Sequence, residues 1–312
     1  MFKYIAQRLV LSIPVFLGVA TIVFLVVRVI PGDPAVASLG DYASKEAVEA
    51  LRQRMGLNQS LPVQYIQFLG DLVRGDLGKS MITDTSIRAD IAHSLPYTLE
   101  LTVLAILIGT ILGIPVGVYT AIRRNRLADY IGRVLSLTGL SVPAFYLGIL
   151  LILLLAIYLN WLPAVGGGGM DDLRENVSHL ILPALTLGLV MTASVARLAR
   201  SAMLNVLRQD YVRTARAKGL KERVVHLRHA LRSALIPIVS VTGIWAVSLI
   251  GDSVTVEVVF ARPGLGKMMV GAILQRDYTA LQSVMVIYTG FVVVINLMID
   301  LIYGWVDPRI RR

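Results

Sequence analysis

Cysteine is absent from the 312 residues, so no thiol nucleophile, disulfide or thiolate metal site can be built from this chain. Charge is scarce too. Asp, Glu, Lys and Arg together make up 16% of the sequence, where an ordinary soluble domain carries about 25%. Acidic residues are the scarcer sign, 20 against 30 basic, which leaves a net charge of +10. No H-E-x-x-H pattern is present to hold a catalytic zinc. Hydrophobic residues, 56% of the chain, fill it instead, and long apolar runs of this kind suit a bilayer.

Six of those runs approach the roughly 20 residues that a helix needs to cross a membrane. They cover approximately 9–30, 96–122, 134–159, 179–196, 235–256 and 282–304, the fourth being the shortest. Pro14, Pro115, Pro143 and Pro183 lie within or beside them, which membrane helices tolerate when neighbouring groups satisfy the freed carbonyls. The predicted class is therefore all-α, a polytopic membrane protein with six transmembrane helices. Most of the basic residues fall in alternate connections: Lys3 and Arg8, then Arg123 to Arg133, then Arg197 to Arg232, then Arg309 to Arg312. Lys and Arg collect on the cytoplasmic side, so both termini are expected there. Tyr158, Trp161, Tyr303 and Trp305 suit interfacial anchors.

Three regions follow. Residues 1–30 hold a cytoplasmic tip and the first span, 31–95 an outer helical segment, and 96–312 a five-helix core with a cytoplasmic loop at 201–234. Ala35-Val36-Ala37 imitates a signal cleavage site, but the preceding apolar run is too long and Pro31 and Pro34 crowd it, so an uncleaved anchor is expected. In the outer segment, "ASKEAVEALRQRMG" reads as a helix with Ser44 as N-cap and Gly56 as terminator, and "PVQYIQFLGDLVRG" as a second ended by Gly75. "RGDLGKS" ends like a phosphate loop, but the required first glycine would fall at Val73. "GGGG" at Gly166 to Gly169 is expected to be a flexible outer loop.

The long basic segment, "YVRTARAKGLKERVVHLRHALRSALIP" from Tyr211 to Pro237, is the strongest functional signal. Leu204, Leu207, Tyr211 and Ala215 recur at helical spacing, as do Val224, Leu227, Leu231 and Leu235, with Gly219 between the runs. That predicts a helix, a break and a helix. A helix-turn-helix for DNA has similar charge, but this segment is tethered to spans at both ends and no nucleic acid is expected. A solvated positive loop would explain the charge but not the paired stripes. Docking of a cytoplasmic partner explains both.

Other classes fare worse. Asp252 and Asp300 fall at opposite ends of the fifth and sixth spans, about a bilayer thickness apart, so they form no aspartyl dyad. An ion-coupled secondary carrier or channel, the alternative reading, usually shows charge near the bilayer centre. Glu100, Asp252, Glu257 and Asp300 all fall near span ends.

"RTARAKG" followed by "HALRSALIP" resembles the loop signature of ABC importer permeases in the form used by the dipeptide, oligopeptide and nickel group. Against the general signature, Arg213, Thr214, Ala215, Gly219, His229, Leu231 and Arg232 occupy the matching places, and only Ala215, Gly219 and Leu231 agree. The peptide-group form fits better through "TARAKG", His229 to Arg232 and the displaced Pro237. "IPGDP" at Ile30, "GDLGKS" at Gly75, "VEVVFARPGLGKMM" at Val256, "RDY" at Arg276 and "DPRIR" at Asp307 extend the likeness along the chain. The outer segment resembles the first of two paired permease subunits, as in dipeptide and glutathione importers.

The resemblance implies a multi-pass protein of the cytoplasmic (inner) membrane working with a second permease, two cytoplasmic ATPase subunits and an extracytoplasmic solute-binding protein. It implies no catalytic residue and no cofactor on this chain, with ATP and Mg held by the ATPase subunits. ATPase coupling would fall on Tyr211, Arg213, Thr214, Ala215, Arg216, Ala217, Lys218, Gly219, His229, Leu231 and Arg232. An outer gate or pathway would involve Asp252, Glu257, Pro263, Gly264, Leu265 and Gly266, with the glycines permitting positive φ and Leu265 facing the second permease. A helix is predicted from Lys267, packing through Met268, Met269, Ala272 and Ile273. Asp252 stands where relatives usually have glycine; it either faces the pathway, attracting a peptide amine, or is capped by Ser248, Ser253 or backbone amides.

Overall fold

The computed structural model describes residues 2–29, 35–36, 44–54 and 56–306. The Ile30–Pro34 and Asp307–Arg311 motifs and the C-terminal arginines lie outside the described residues. The helices in chain order are α1 (Phe2–Val29), α2 (Lys45–Arg54), α3 (Leu61–Arg74), α4 (Ile87–Ile122), α5 (Leu127–Ser141) and α6 (Ala144–Leu151), which continues as a π-helical stretch, Ile152–Tyr158. Then come α7 (Leu173–Val206), α8 (Asp210–Ala217), the short α9 (Glu222–Val224) with a π-helical stretch Val225–Ala230, α10 (Leu231–Val259), α11 (Leu265–Leu274) and α12 (Tyr278–Val306). Among the described residues, five helices are long and apolar enough to span a membrane, and six if the bent α5–α6 pair counts as one span. The all-α polytopic class is the observed one.

Four spans differ from their sequence outlines, the second by starting at Ile87 rather than near 96. The third, expected as one helix, is bent by 106° between Ser141 and Ala144. Pro143 is the cause: its ring pushes Val142 out of helical geometry, to φ −88°, ψ 123°. The fourth, the shortest in sequence, is part of a 34-residue helix and the most enclosed of the candidate spans. Small residues allow this: Ala184, Gly188, Ala193, Ser194, Ala196, Ala199 and Ala202 let neighbours approach it closely. The fifth begins not near 235 but at Glu222, because α9, the π-helical stretch and α10 form one continuous rod of 38 residues.

The chain forms two compact units. One comprises Thr98–Arg262 and the chain from Ile295. Its core gathers Leu101 and Ala105 of α4, Leu182, Leu187, Met191 and Val195 of α7, and Ala246, Leu249 and Val256 of α10. Gly109, Gly113 and Gly117 form a one-sided seam on α4, and Cβ atoms there would meet Met191, Val195 and Ala196 of α7 at 2.4 to 2.7 Å.

The other unit comprises Phe2–Tyr97 and Pro263–Val294. As expected, Ser44 caps α2 by accepting from the Ala47 amide at 3.2 Å, and Gly75 ends α3 at φ 71°. Phe24 of α1 stacks on Phe68 and meets Tyr65 edge-on, joining α1 to α3. The phosphate-loop look-alike is structural: the Ser80 hydroxyl donates to Asp277 at 2.5 Å and accepts from the amides of Ile82 and Thr83.

Candidate functional site

In the basic segment the structure contains the predicted helix, break and helix, with the inward face shifted. Val212 and Ala215 of α8 are buried with Val225, against Val206 and Leu207. Tyr211, placed by the sequence in the apolar stripe, instead faces outward and is 43% exposed. On the second helix the buried positions are Val225, Ala230, Ala234 and Ile238, not Val224, Leu227, Leu231 and Leu235. The interval of five between Val225 and Ala230 marks the π-helical turn, which adds a residue per turn and rotates the stripe away from a 3.6-residue count.

Gly219 has φ 74°, and nothing lies within 4 Å of the place a Cβ would occupy, so glycine is required here by backbone geometry alone. The two helices are stapled through Glu222, which accepts from Arg216 Nε at 2.9 Å and lies 2.9 Å from His226 Nε2. Arg213, Thr214, Ala217, Lys218 and Arg232 are exposed, His229 and Leu231 half-buried. Tyr211, Leu220 and Leu227 form exposed apolar points among these cations.

The proposed gate residues separate into different surroundings. Glu257 is fully buried and accepts from the Thr98 hydroxyl at 2.7 Å, so it lines no open surface of this chain. Asp252 is exposed on α10. The expected serine caps do not form by donation, because Ser248 gives its proton to the Ile244 carbonyl and Ser253 to that of Ile250. In the second unit, Pro263 is half-buried, and Gly264, Leu265 and Gly266 are buried. Gly264 has φ −92° and precedes α11, which starts two residues before the predicted Lys267. The positive φ near this turn belongs to Ala261, at 50°. Ile273, expected to pack, is 52% exposed.

Leu265 is therefore the wrong position for a surface contact. The absence of cysteine provides a clean background for a direct check. A cysteine at Leu274, 79% exposed in the wild type, is expected to react with a maleimide in detergent much faster than one at Leu265, which is 0% exposed. Equal rates would refute the burial of this turn.

One group of polar residues was missed by sequence reasoning. Arg262, fully buried, donates through Nη2 to Glu100 at 3.0 Å and to Asn176 Oδ1 at 3.1 Å, and through Nη1 to the Gly167 carbonyl at 3.3 Å. Asn176 also donates to Glu100 at 2.8 Å. The glycine-rich loop expected to be flexible is thus pinned, and the Gly166 amide adds a 2.7 Å bond to the Phe260 carbonyl. The available signal was an arginine next to Pro263 in an apolar context, with a lone glutamate at the start of the second span.

Two family descriptions match this sequence. The binding-protein-dependent transport system inner membrane component matches residues 113–312, and the N-terminal region of such components matches 1–102. The chain belongs to this permease family. The permease is 38% identical over 332 residues to the dipeptide transport system permease protein DppB of Alkalihalophilus pseudofirmus, covering 100% of both chains. It is 40% identical over 311 residues to the glutathione transport system permease protein GsiC of Pectobacterium atrosepticum, covering 100% of this chain and 99% of the other. Its fold is similar to an inward-facing MetNI methionine ABC transporter chain, with TM-score 0.58, 20% identity, and coverage of 70% of this permease and 96% of that chain. An amino acid ABC transporter chain matches with TM-score 0.51, 17% identity, and coverage of 69% and 93%. These likenesses favour an ABC importer permease over an ion-coupled carrier or channel.

Proposed function

We propose that this permease forms half of a translocation pathway for peptides or related small solutes, beside a second homologous permease. Two cytoplasmic ATPase subunits would bind and hydrolyse ATP with Mg, and an extracytoplasmic binding protein would deliver the solute. Both termini and the α8–α9 segment would face the cytoplasm of a cell bounded by this inner membrane, following the distribution of Lys and Arg. The dipeptide and glutathione relatives support the substrate class.

The observation that carries the coupling role is the two-faced α8–Gly219–α9 segment. Its inner face, Val212, Ala215 and Val225, seats it against the end of α7. Its outer face presents Tyr211, Leu220 and Leu227 among cations, and exposed apolar residues rimmed by charge mark protein contacts. The continuous rod from Glu222 into α10 would carry a displacement at this surface directly into a span.

Gly219→Val tests the reading. A β-branched residue at φ 74° is strained by about 1–3 kcal/mol, and the empty surroundings confine the effect to the backbone. The assembled complex is expected to lose most solute-stimulated ATP hydrolysis and uptake, whereas Gly219→Asn, which tolerates this conformation, retains more of both. Full hydrolysis and uptake by the valine variant would remove the coupling role.

A further inference from the structure

In the unit built from Phe2–Tyr97 and Pro263–Val294, a cavity of about 270 Å³ opens between the last turn of α1, one face of α3 and the start of α12. Its α3 lining is Gln64, Gln67, Phe68, Asp71 and Leu72, the spacing of a single helical face. The volume is slightly below the usual range of about 300–1,000 Å³ for a ligand site, which suits only a small ligand. Its lining mixes polar and apolar side chains, and its charged members are Arg28 at one end of the α3 face, Asp71 at the other, and Asp76, which accepts from the Gly78 amide at 2.9 Å.

Arg28 is held rigidly. Its Nε donates to Gln64 Oε1 at 3.0 Å, and its Nη1 donates to Gln282 Oε1 at 2.9 Å and to the Phe24 carbonyl at 3.5 Å. The guanidinium lies 3.8 Å over the Phe24 ring. Gln64 is oriented for this task, since its amide nitrogen donates to the carbonyls of Leu57 and Gln59, leaving its oxygen to face Arg28. A guanidinium has five N–H donors. Three are used in these bonds, and the two on Nη2 have no partner among the described residues. No described carboxylate pairs with Arg28 either. A half-buried cation fixed by neutral amides, with one edge of its fork unused, is suited to receive a carboxylate.

The opposite charge is two helical turns away. Asp71 is exposed at the cavity wall, and its side chain has no hydrogen-bond partner among the described residues. Gln64 and Asp71 are seven residues apart, roughly 10 Å along α3. A two-residue peptide spans roughly 7 Å, and with a hydrogen bond of about 2.8 Å at either end it bridges that interval. On the same count a single amino acid, about 3.5 Å long, reaches about 9 Å, so the interval admits either length.

We propose that this cavity is a binding site for a small zwitterion, an amino acid or a dipeptide in length, its carboxylate on Arg28 Nη2 and its ammonium at Asp71. The site lies wholly within the unit that holds α1 to α3. Its ligand class comes from its own charges, so it does not depend on the coupling role argued for α8 and α9.

Titration calorimetry on the full chain in lipid nanodiscs tests it, with alanyl-alanine as probe. Saturable binding is expected, weakened about 10- to 100-fold when the probe's carboxylate is amidated or when Arg28→Gln is introduced, the range for a charge-assisted hydrogen bond. N-acetylation of the probe and Asp71→Asn are each expected to weaken it several-fold. The amidated probe on wild-type protein needs no mutation, so misfolding of the Arg28 variant cannot obscure the outcome. Equal affinity for alanyl-alanine and its amide, or no saturable binding at millimolar concentrations, overturns the site. Indifference to both acetylation and Asp71→Asn overturns the zwitterion. ATP-driven uptake of peptide by the assembled transporter alongside either failure would leave the transport reading standing while removing this site.

Discussion

Replacing Arg262 with alanine is expected to cost about 3–5 kcal/mol of stability, the range for removing one partner of a buried ion pair. The magnitude follows from what the guanidinium leaves behind. Asn176 Oδ1 and the Gly167 carbonyl lose a donor, and Glu100 loses its cation. Glu100 is 29% exposed at its side chain and recovers some hydration, so its share is the smaller one. Arg262→Lys retains charge but cannot reach several acceptors with a fixed fork, and an intermediate loss is expected. Unfolding in SDS followed by circular dichroism provides the measurement, and a double-mutant cycle with Glu100→Gln isolates the pair. A loss below about 1 kcal/mol for the alanine variant would show that the network is not a structural support.

Gly117 is expected to be sensitive to a far smaller change. An alanine Cβ there would lie 2.4 Å from the Ala196 carbonyl oxygen, 2.6 Å from Ala199 Cβ and 2.9 Å from the Arg200 amide nitrogen. Two of these are backbone atoms of a buried helix and cannot rotate away, so α4 and α7 must separate. Overpacking costs typically about 1–3 kcal/mol, against about 1 kcal/mol gained from the better helix propensity of alanine. The clash wins. A net loss of up to about 2 kcal/mol is expected for Gly117→Ala, and failure to reach the folded state for Gly117→Leu. Gly251→Ala is the control, because nothing lies within 4 Å of its Cβ position and only the propensity gain should remain. If the two alanine variants melt alike, the seam is not close-packed.

The same seam shows how legibility varied. Gly109, Gly113 and Gly117 stand four apart within one apolar run, a pattern that suits close helix packing, yet spacing alone does not name the partner helix. Ser44, Gly56, Gly75 and Gly219 were legible because capping and positive φ are local properties of a residue and its immediate neighbours. The bend at Pro143 was visible as a proline but not as a turn of 106°, since membrane prolines are compatible with both straight and broken spans. Tyr211 was misplaced because the chain turns between Val206 and Asp210, so a count carried on from Leu204 and Leu207 loses register, and Leu227 because a 3.6-residue count cannot anticipate the π-helical turn between Val225 and Ala230. Leu265 was read as a gate surface because apolar residues beside glycines look alike whether they face a neighbour or a core.

By itself, the sequence determined the all-α membrane class, the number of apolar runs, the alternation of basic connections and the motifs of the permease family. Each depends on composition, short spacing or contiguous residues. Tertiary structure alone decided that the fourth run would be the most enclosed helix and that Ser80 would hold Asp277. It also placed Arg262 between Glu100 and Asn176, and set Arg28 at the wall of a cavity. The reason is distance along the chain. Arg262 is separated from its partners by 162 and 86 residues, and Arg28 from Gln282 by 254. The free energy of such a charge depends on acceptors and water excluded by remote helices, which no local pattern encodes.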